Sequence, residues 1–418
     1  MASSKIARKN LLEDKTRFIV AQAGILFAVS LVTIQLGILR GFTRSTAMLV
    51  EYSSADLWVA HKEFVHFELT SSMPAENLQT ASQVAGVDRA EVLMVRSGRW
   101  RNTEGELSTI RIWGFNPNSG MFAGWPIVQG KLADLNQPYK VFLDSASVAS
   151  LDVSKVGDTA RIGNLPVEIV GLTEDTKSNA SSAYVYTSLE TANAYGTAEF
   201  SSAITCSRRD DGSLDCNNKY SKVDQNGVLK SPPPPERLDL GDPITYIMIR
   251  AKSGEDLNAL KIRLKNKMPD TVVFTTDELA KLTRNYWEDR TSVGFILGLG
   301  ATVGFIVGMV IVGQILYASV ADHIREFGTL KAMGASNWVI YSVIIEQSLW
   351  MAVLGYLPSM AFCLGLSKWT LSAKGVLILI EPTTAASVFV LTLFMCVGSA
   401  VFAVQKVTRV DPAIVFKA

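Results

Sequence analysis

The chain has 418 residues, of which 48% are hydrophobic and 19% charged, and its net charge is +1. The charged fraction lies below the roughly 25% that is usual for soluble domains. Lysine and arginine are dispersed without interleaved aromatic residues, which argues against a nucleic-acid-binding protein. Apolar residues concentrate at the start and in the last third, so the composition indicates a membrane protein with a soluble middle part.

Four segments are long and apolar enough to cross a bilayer, because a helix needs about 20 apolar residues to span the hydrocarbon core. In chain order we predict a cytoplasmic amphipathic segment (1–17), transmembrane helix 1 (18–40), an extracytoplasmic domain (41–290), transmembrane helix 2 (291–320), a short cytoplasmic helix (321–337), transmembrane helix 3 (338–367), transmembrane helix 4 (383–405) and a cytoplasmic tail (406–418). No small-residue cleavage site follows the first span, which argues against a cleaved signal peptide. The predicted fold class is a membrane α-helical protein with four transmembrane helices and a large α/β extracytoplasmic domain inserted between helices 1 and 2.

The orientation follows from lysine and arginine in the short flanks, which favour the cytoplasmic side. These residues lie before span one, between spans two and three, and after span four: Lys5, Arg8, Lys9, Lys15, Arg17, Arg325, Lys331, Lys406, Arg409 and Lys417. The loop between spans three and four has only Lys368 and Lys374. We therefore expect both termini and segment 321–337 in the cytoplasm, and residues 41–290 on the other side.

The outer domain shows strand and helix patterns at both of its ends. Residues 51–115 and 243–285 alternate strand–helix–strand, which predicts one α/β module built from two discontinuous pieces. Residues 116–204 predict a β-rich subdomain. Residues 205–241 are polar and proline-containing, which predicts a flexible loop. Thr275 and Glu278 have capping-box spacing at the start of a helix that leads toward span two.

The cysteines divide between the outer domain and the spans. Cys206 and Cys216 lie in the polar segment 205–241, where an oxidising compartment would permit a disulfide. Two free thiols are the alternative. Cys363 and Cys396 lie within predicted spans, and we expect them to be packing residues. No CxxC motif or nearby histidine accompanies the first pair, so no zinc site is predicted.

The sequence shows no catalytic constellation, and we predict no catalytic residue, metal or cofactor in this chain. His61 and His66 are expected to be a surface pair and not ligands, since they would face opposite sides of a strand. Residues 124–132 resemble a nucleotide-binding loop only superficially, because five residues separate the glycines and Leu132 replaces the serine or threonine that would hold Mg²⁺. The chain itself is therefore not expected to hydrolyse ATP.

The segment between spans two and three is short and charged. Its apolar residues are spaced by three and predict an apolar stripe on a short helix: Ile324, Phe327, Leu330 and Met333. Arg325, Glu326 and Lys331 would then face water or a partner. Gly334 is typical of a helix C-terminus, whereas Gly328 costs about 1 kcal/mol inside a helix and suggests close packing or a bend.

Glu346 is the one acid within a predicted span. Acids inside a membrane are costly and are functional by default. Two roles stay open for it. It could pair with a residue near the inner interface, or it could act on a substrate or proton.

These features together resemble the MacB/FtsX-like permeases of ABC transporters. Residues 321–335 are similar to the family's coupling-helix pattern, in which Arg-Glu-x-Gly precedes Lys/Arg-Ala-x-Gly-Ala. Ile345-Glu346 resembles the family's acid near the start of span three. Segments 156–158 and 166–171 resemble strands of its outer domain, and 409–413 resembles its C-terminal signature. Segments 11–18 and 112–117 are similar to the DevC-type exporter permeases.

The resemblance implies a coupling site, a set of partners and a mechanism. The implied ATPase-coupling residues are His323, Arg325, Glu326, Phe327, Gly328, Lys331, Ala332 and Gly334, with Glu346 behind them as the intramembrane acid. The implied partners are a separate cytoplasmic ABC ATPase that holds ATP and Mg²⁺, a second permease copy, a periplasmic adaptor, an outer-membrane channel and membrane lipid. The expected function is export of a lipidic or other hydrophobic cargo from the bacterial inner membrane by mechanotransmission. The alternatives are an FtsX-like regulator of a cell-wall hydrolase, a lipoprotein-releasing permease, and a membrane-anchored receptor without an ATPase.

Overall fold

The chain divides into two compact units. The computed structural model describes residues 15–197, 202–208, 214–220, 232, 234–334, 336–374 and 376–408. Met1–Gly41 and Thr291–Ala418 form one unit, which we call the helix unit, and Phe42–Arg290 form the other, the outer domain. Residues 1–14 of the predicted segment 1–17 and residues 409–418 of the predicted tail 406–418, which include the signature 409–413, lie outside the described residues.

The described helices comprise four long ones of 27 to 38 residues and five shorter ones. They are α1 (Lys15–Tyr52), α2 (Glu76–Ser82), α3 (Leu189–Thr197), α4 (Leu257–Lys267), α5 (Thr276–Arg290), α6 (Val293–Asp322), α7 (Ile324–Ala332), α8 (Asn337–Lys374) and α9 (Pro382–Thr408). Four of them, α1, α6, α8 and α9, are long and apolar enough to cross a membrane. Since the strands all lie between α1 and α6, the prediction of four spans with an α/β domain after the first is confirmed.

The long helices extend beyond the ends of the apolar runs. The sequence predicts that span one ends at residue 40, whereas α1 continues to Tyr52. Similarly, α8 continues to Lys374, past the predicted end at 367. Hydropathy marks where lipid contact ends, but a helix stops only at a breaker or a competing cap. Residues 41–52 contain no proline, so the helix has no local reason to stop there.

Small residues bring the helices of this unit close together. A methyl group on Gly308 of α6 would clash with Ala28 of α1 and with Met395 of α9. A methyl group on Gly355 of α8 would likewise clash with Ile25 of α1. Close packing of this kind stabilises helix pairs in lipid, where the surroundings are as apolar as the side chains.

The outer domain is built on one ten-stranded sheet. Its strands are β1 (Leu57–His61), β3 (Val87–Arg101), β4 (Leu107–Phe115), β5 (Ile127–Gln129), β6 (Lys140–Asp144), β7 (Thr159–Ile162), β8 (Leu165–Thr173), β9 (Ala183–Ser188), β13 (Tyr246–Ala251) and β14 (Thr271–Thr275). The order is β14-β1-β13-β3-β4-β9-β6-β8-β5, and β7 pairs with β3 and β8. A small separate sheet pairs β2 (Met73–Pro74) with β12 (Pro243–Ile244).

One long strand joins the two parts of this sheet. The first half of β3 pairs with β13, which arrives from the far end of the domain sequence, and the second half pairs with β4 and β7. The sheet is therefore continuous across the subdivision predicted at residue 116. The capping box predicted for α5 is confirmed, because Thr275 N–H donates to Glu278 Oε2 at 2.9 Å and Glu278 N–H donates to Thr275 Oγ1 at 3.2 Å.

The flexible loop predicted over residues 205–241 is wrong for its first part. The structure has an antiparallel hairpin there, formed by β10 (Ser202–Arg208) and β11 (Leu214–Tyr220). The sequence between the strands contains Asp211-Gly212, a dipeptide that favours hairpin turns. Polarity and the prolines at 232–235 led to the loop prediction, and the turn dipeptide was the signal against it. Residues 209–213, 221–231 and 233 lie outside the described part of the chain.

Candidate functional site

The candidate site is α7, the short helix between the candidate spans α6 and α8. Asp322 ends α6, His323 separates the two helices, and α7 then runs from Ile324 to Ala332. Gly334, two residues after the end of α7, has a φ of 89°, which lies in the left-handed region. Met333 N–H donates to Thr329 O at 3.0 Å and Gly334 N–H donates to Lys331 O at 3.1 Å. The predicted glycine C-terminus is thus confirmed, since a left-handed residue lets the last carbonyls find donors.

The apolar side of α7 is anchored in the helix unit. Phe327 is 3% exposed and belongs to a core with Leu316 and Val320 of α6 and Ile344 of α8. Gly328 is also buried, which fits the close packing that the sequence suggested. Both residues therefore hold α7 against its own unit and do not present a surface to a partner.

The predicted apolar stripe does not extend to the end of the segment. Met333, which follows the last residue of α7, is 71% exposed. Ile324 is half-buried. The side chain of Leu330 lies outside the described part of the structure.

The polar side of α7 carries the groups that a partner could contact. Glu326 is exposed, and its Oε1 lies 3.2 Å from Nδ1 of His323, one turn earlier. Lys331 is half-buried. Arg325 and Ala332 lie in α7, and their side chains are outside the described atoms. The structure thus brings the predicted residues onto one short element and divides them between an inner and an outer face.

Glu346 lies on α8, in the third turn after its start at Asn337. Its side chain is half-buried, next to the buried Gln347 and Ser348. Ser348 Oγ donates to Ile345 O at 2.7 Å, so this hydroxyl is satisfied within its own helix. Among the described side chains, Glu346 has no ion-pair partner. The predicted pairing near the inner interface therefore stays a prediction.

Sequence reasoning missed a contact on α1. Leu379, in the extended segment 376–381 between α8 and α9, donates its N–H to Gly37 O at 2.9 Å. A methyl group on Gly37 would meet Ile378 Cγ2 at 2.7 Å, and one on Gly41 would meet the carbonyl oxygen of Leu377. The signal was available as two glycines four residues apart in an apolar run, a pattern that allows close approach of a neighbouring backbone.

Glu68 in the outer domain belongs to a closed cluster and does not form an open site. Glu68 is buried, accepts from Tyr184 OH at 2.6 Å and from Ser181 Oγ, and lies 3.3 Å from Nε of Arg111. A buried carboxylate that is paired and hydrogen-bonded in this way is satisfied within the fold and offers no free reactive group. Within the described residues, no group of three or more histidine, cysteine, aspartate or glutamate side chains could hold a metal ion.

The prediction that His66 lies on the surface is wrong. His66 is buried and stacks on Tyr286 of α5 at a ring-centroid distance of 4.4 Å. The cause is a local reversal, in which His66 and Leu69 form a β-bridge that turns the chain back toward α5. Burial, with the positive charge of Arg111 as a smaller cause, lowers the pKa of His66 from 6.5 to about 4.

The two cysteines of the outer domain are cross-strand neighbours. The register of β10 and β11 places Cys206 directly opposite Cys216. Directly opposed residues in an antiparallel pair have Cα atoms roughly 4.5–5.5 Å apart, which is within the range of a disulfide. The disulfide stays a prediction, and the register is an observation in its favour. Cys363 and Cys396 are buried free thiols, in line with packing residues.

Comparison with known proteins assigns both units to families. Residues 18–267 match the MacB-like periplasmic core domain, and residues 298–412 match the FtsX-like permease C-terminal domain. The chain is also similar to an uncharacterized ABC transporter permease of Methanocaldococcus jannaschii, with 25% identity over 148 residues, 32% of this chain and 35% of the relative. It is similar to the macrolide export ATP-binding/permease protein MacB of Hyphomonas neptunium, with 25% identity over 139 residues, 33% of this chain and 21% of the relative.

The chain thus spans about a third and a fifth of these two relatives. A solved structure of the periplasmic region of MacB from Actinobacillus actinomycetemcomitans covers 56% of this chain and 96% of its own, at 13% identity and a TM-score of 0.36. The first family match alone extends over more than half of the 418 residues. This chain is a multi-pass membrane protein with a periplasmic domain, and it belongs to the MacB/FtsX-like family of ABC transporter permeases.

Proposed function

We propose that this chain is the permease subunit of an exporter driven by a separate cytoplasmic ABC ATPase, and that α7 receives the motion of that ATPase. One observation carries the proposal: α7 joins two candidate spans, with Phe327 buried in the helix unit and Glu326 exposed. A force applied to the exposed side would reach α6 and α8 through the buried side, because close-packed side chains transmit displacement. The partner ATPase would hold ATP and Mg²⁺.

In this proposal the cargo does not need to pass between the spans. α6 is preceded by α5, and α1 continues into the outer domain, so both helices connect the membrane to the periplasmic side along the chain. We propose that the motion drives a periplasmic adaptor and an outer-membrane channel, as in the DevC-type subgroup, and exports a lipidic or other hydrophobic cargo. The name of the Hyphomonas relative, a macrolide export protein, favours export over regulation of a cell-wall hydrolase.

The same proposal places both termini and α7 in the cytoplasm. The lysine and arginine residues in the short flanks support this orientation. It would put the exposed Glu326 on the side where ATP is available.

Charge reversal on α7 tests the coupling. The full chain, purified with its co-expressed ATPase, is compared with Glu326→Lys and with Lys331→Glu. We expect loss of permease-dependent ATP hydrolysis and weaker retention of the ATPase, because reversed charges at a contact repel. Glu104→Lys and Lys267→Glu are matched controls, since both residues are exposed in the outer domain. Normal docking and hydrolysis in both α7 variants would contradict the proposal.

A further inference from the structure

A tight turn after β1 of the outer domain exposes two apolar side chains. Val65 is 45% exposed and Leu69 is 50% exposed, whereas Phe67 between them is 1% exposed. A hydrogen bond from Val65 N–H to Leu69 O, at 3.0 Å, holds the two exposed residues next to each other. We call residues 63–69 the apolar turn. A single exposed apolar residue is common on protein surfaces, but neighbouring ones on one short turn indicate a surface that meets an apolar medium.

The backbone of the apolar turn is closed by hydrogen bonds within the turn itself. Leu69 O also accepts from His66 N–H at 3.2 Å, and Leu69 N–H donates to His66 O at 2.8 Å. Glu68 N–H donates to Nδ1 of His66 at 3.3 Å. Lipid offers no partners for backbone N–H and C=O groups, so a loop can enter the edge of a bilayer only when these groups are satisfied internally. The apolar turn meets this condition while its two apolar side chains stay free.

The apolar turn packs beside both chain ends of the outer domain. The ring of His66 stacks on Tyr286 with a centroid distance of 4.4 Å and lies 5.1 Å from the ring of Trp287. Trp287 meets Phe42 edge to face, at a centroid distance of 6.4 Å. Phe42 is the first residue of the outer domain, and Tyr286 precedes its last residue, Arg290, by about one helical turn. The turn therefore lies where the chain enters the domain from α1 and leaves it toward α6.

Covalent geometry keeps this end of the outer domain near the membrane. Tyr286 lies seven residues before Val293, the first residue of the candidate span α6. Seven residues reach about 25 Å when fully extended. Residues 286–290 are helical, and a helix rises only about 1.5 Å per residue, so the actual reach is shorter. The apolar turn is thus connected to a membrane-spanning helix by a short length of chain.

The residue types around the apolar turn are those of a membrane–water interface. Tryptophan and tyrosine concentrate at that interface, because their rings are apolar and carry one polar group. Tyr286, Trp287 and Phe42 supply three aromatic rings at the chain ends of the domain. Lys62 and Glu63, at the start of the turn, are exposed. Since charges are costly within the hydrocarbon, they limit contact to the level of the headgroups.

We propose that the apolar turn binds the phospholipid surface of the membrane that α1 and α6 cross, with Val65 and Leu69 at the boundary between headgroups and acyl chains. The outer domain then has an anchor in the bilayer besides the two helices to which it is joined. The inference goes beyond the proposed function, because it holds whichever partner moves α7.

Photo-cross-linking in vesicles tests the contact at a matched pair of positions. Ile262 of α4 is the control, since it is 62% exposed and lies on the other face of the sheet. Its neighbours Leu260 and Leu264 belong to one core of the domain, whereas Phe67 of the turn belongs to the other. The full chain with benzoylphenylalanine at position 69 or 262 is placed in vesicles of phosphatidylethanolamine and phosphatidylglycerol and illuminated. We expect phospholipid adducts at position 69 and none at position 262. Equal lipid adducts at both positions, or adducts at position 69 with protein alone, would overturn the inference.

Substitution of Leu69 tests whether its apolar side chain makes the contact. With the photoreactive residue at position 65, Leu69→Ser should lower the yield of lipid adducts roughly five-fold, since burial of half a leucine side chain has a free energy of that order. Leu69→Met keeps an apolar side chain and should retain the adducts, and Ile262→Ser should leave them unchanged. Leu69 takes part in the turn through its backbone, so Leu69→Ser should unfold at the same temperature as the parent chain. An unchanged yield in Leu69→Ser, or an equal loss in Leu69→Met, would overturn the inference.

Docking of the partner ATPase reports separately on the proposed function. If lipid adducts form at position 69 while charge-reversed α7 still docks and couples normally, the membrane contact stands and the coupling role fails. If no lipid adduct forms while charge reversal on α7 abolishes docking, the membrane contact is wrong and the permease role stands.

Discussion

Replacing Gly41 with alanine tests the packing of α1 against segment 376–381. The added methyl group would overlap the carbonyl oxygen of Leu377, a backbone atom that cannot swing aside as a flexible side chain can. The segment would have to move away from α1. The hydrogen bond from Leu379 N–H to Gly37 O, one helical turn away, would lengthen or break as a result.

Two opposing terms set the size of the effect. Overpacking at a close contact costs about 1–3 kcal/mol, whereas alanine is favoured over glycine inside a helix by about 1 kcal/mol. Gly298 of α6 provides the matched control, since a methyl group there would have nothing within 4 Å. Gly298→Ala should have the stabilisation of about 1 kcal/mol that alanine gives inside a helix, without the cost of overpacking. The difference between the two variants should therefore equal the packing cost alone, about 1–3 kcal/mol.

Hydrogen exchange of the Leu379 amide in the lipid-embedded full chain measures this difference. Since a factor of ten in an opening equilibrium corresponds to 1.4 kcal/mol, the amide should exchange roughly 5- to 150-fold faster in Gly41→Ala than in Gly298→Ala. Equal protection in the two variants would show that segment 376–381 does not lie against Gly41.

Three further predictions concern the outer domain. Cys206 and Cys216 should resist alkylation in the oxidised full chain and react only after reduction, because the hairpin register places them opposite each other. The pKa of His66 is lowered from 6.5 to about 4, so folding favours the neutral imidazole. The contribution of His66 to the free energy of unfolding should therefore be complete above pH 6.5 and should fall by roughly 3 kcal/mol as the pH drops from 6.5 through 4. His66→Phe should remove this part of the pH dependence in a chemical unfolding titration. Glu68→Gln should destabilise the outer domain by about 1–3 kcal/mol in the same assay, since it removes the charge that Tyr184, Ser181 and Arg111 contact at a buried position.

Each of these predictions has a control and a contradicting result. Alkylation of both cysteines without reductant would rule out the disulfide. For the pH prediction, His61→Phe is the control, and an equal pH dependence in both histidine variants would assign the effect to other groups. For the buried carboxylate, the exposed Glu104→Gln should change the unfolding free energy by less than about 0.5 kcal/mol, and a loss in Glu68→Gln no larger than this would contradict the cluster's role.

The long apolar runs of the sequence were sufficient to predict the architecture. Four apolar runs predicted four spans, and the confirmed Thr275–Glu278 capping box and Gly334 terminus show that local chemistry also sets helix ends. The predictions failed where a local pattern was outweighed or overlooked. The hairpin at Cys206 was taken for a loop from its polarity, and His66 was placed on the surface because a single strand reveals nothing of what packs against it.

The sequence alone determined the number of spans, the inserted outer domain and the short charged helix between spans two and three, because hydropathy and helix-end signals act over neighbouring residues. Tertiary structure decided which side of that helix is inward, with Phe327 buried and Glu326 exposed, although the two are adjacent in the chain. It also decided that segment 376–381 lies against Gly37 and Gly41 of α1. These contacts join residues that are far apart in the sequence, so they are set by the packing of the whole chain and not by local patterns.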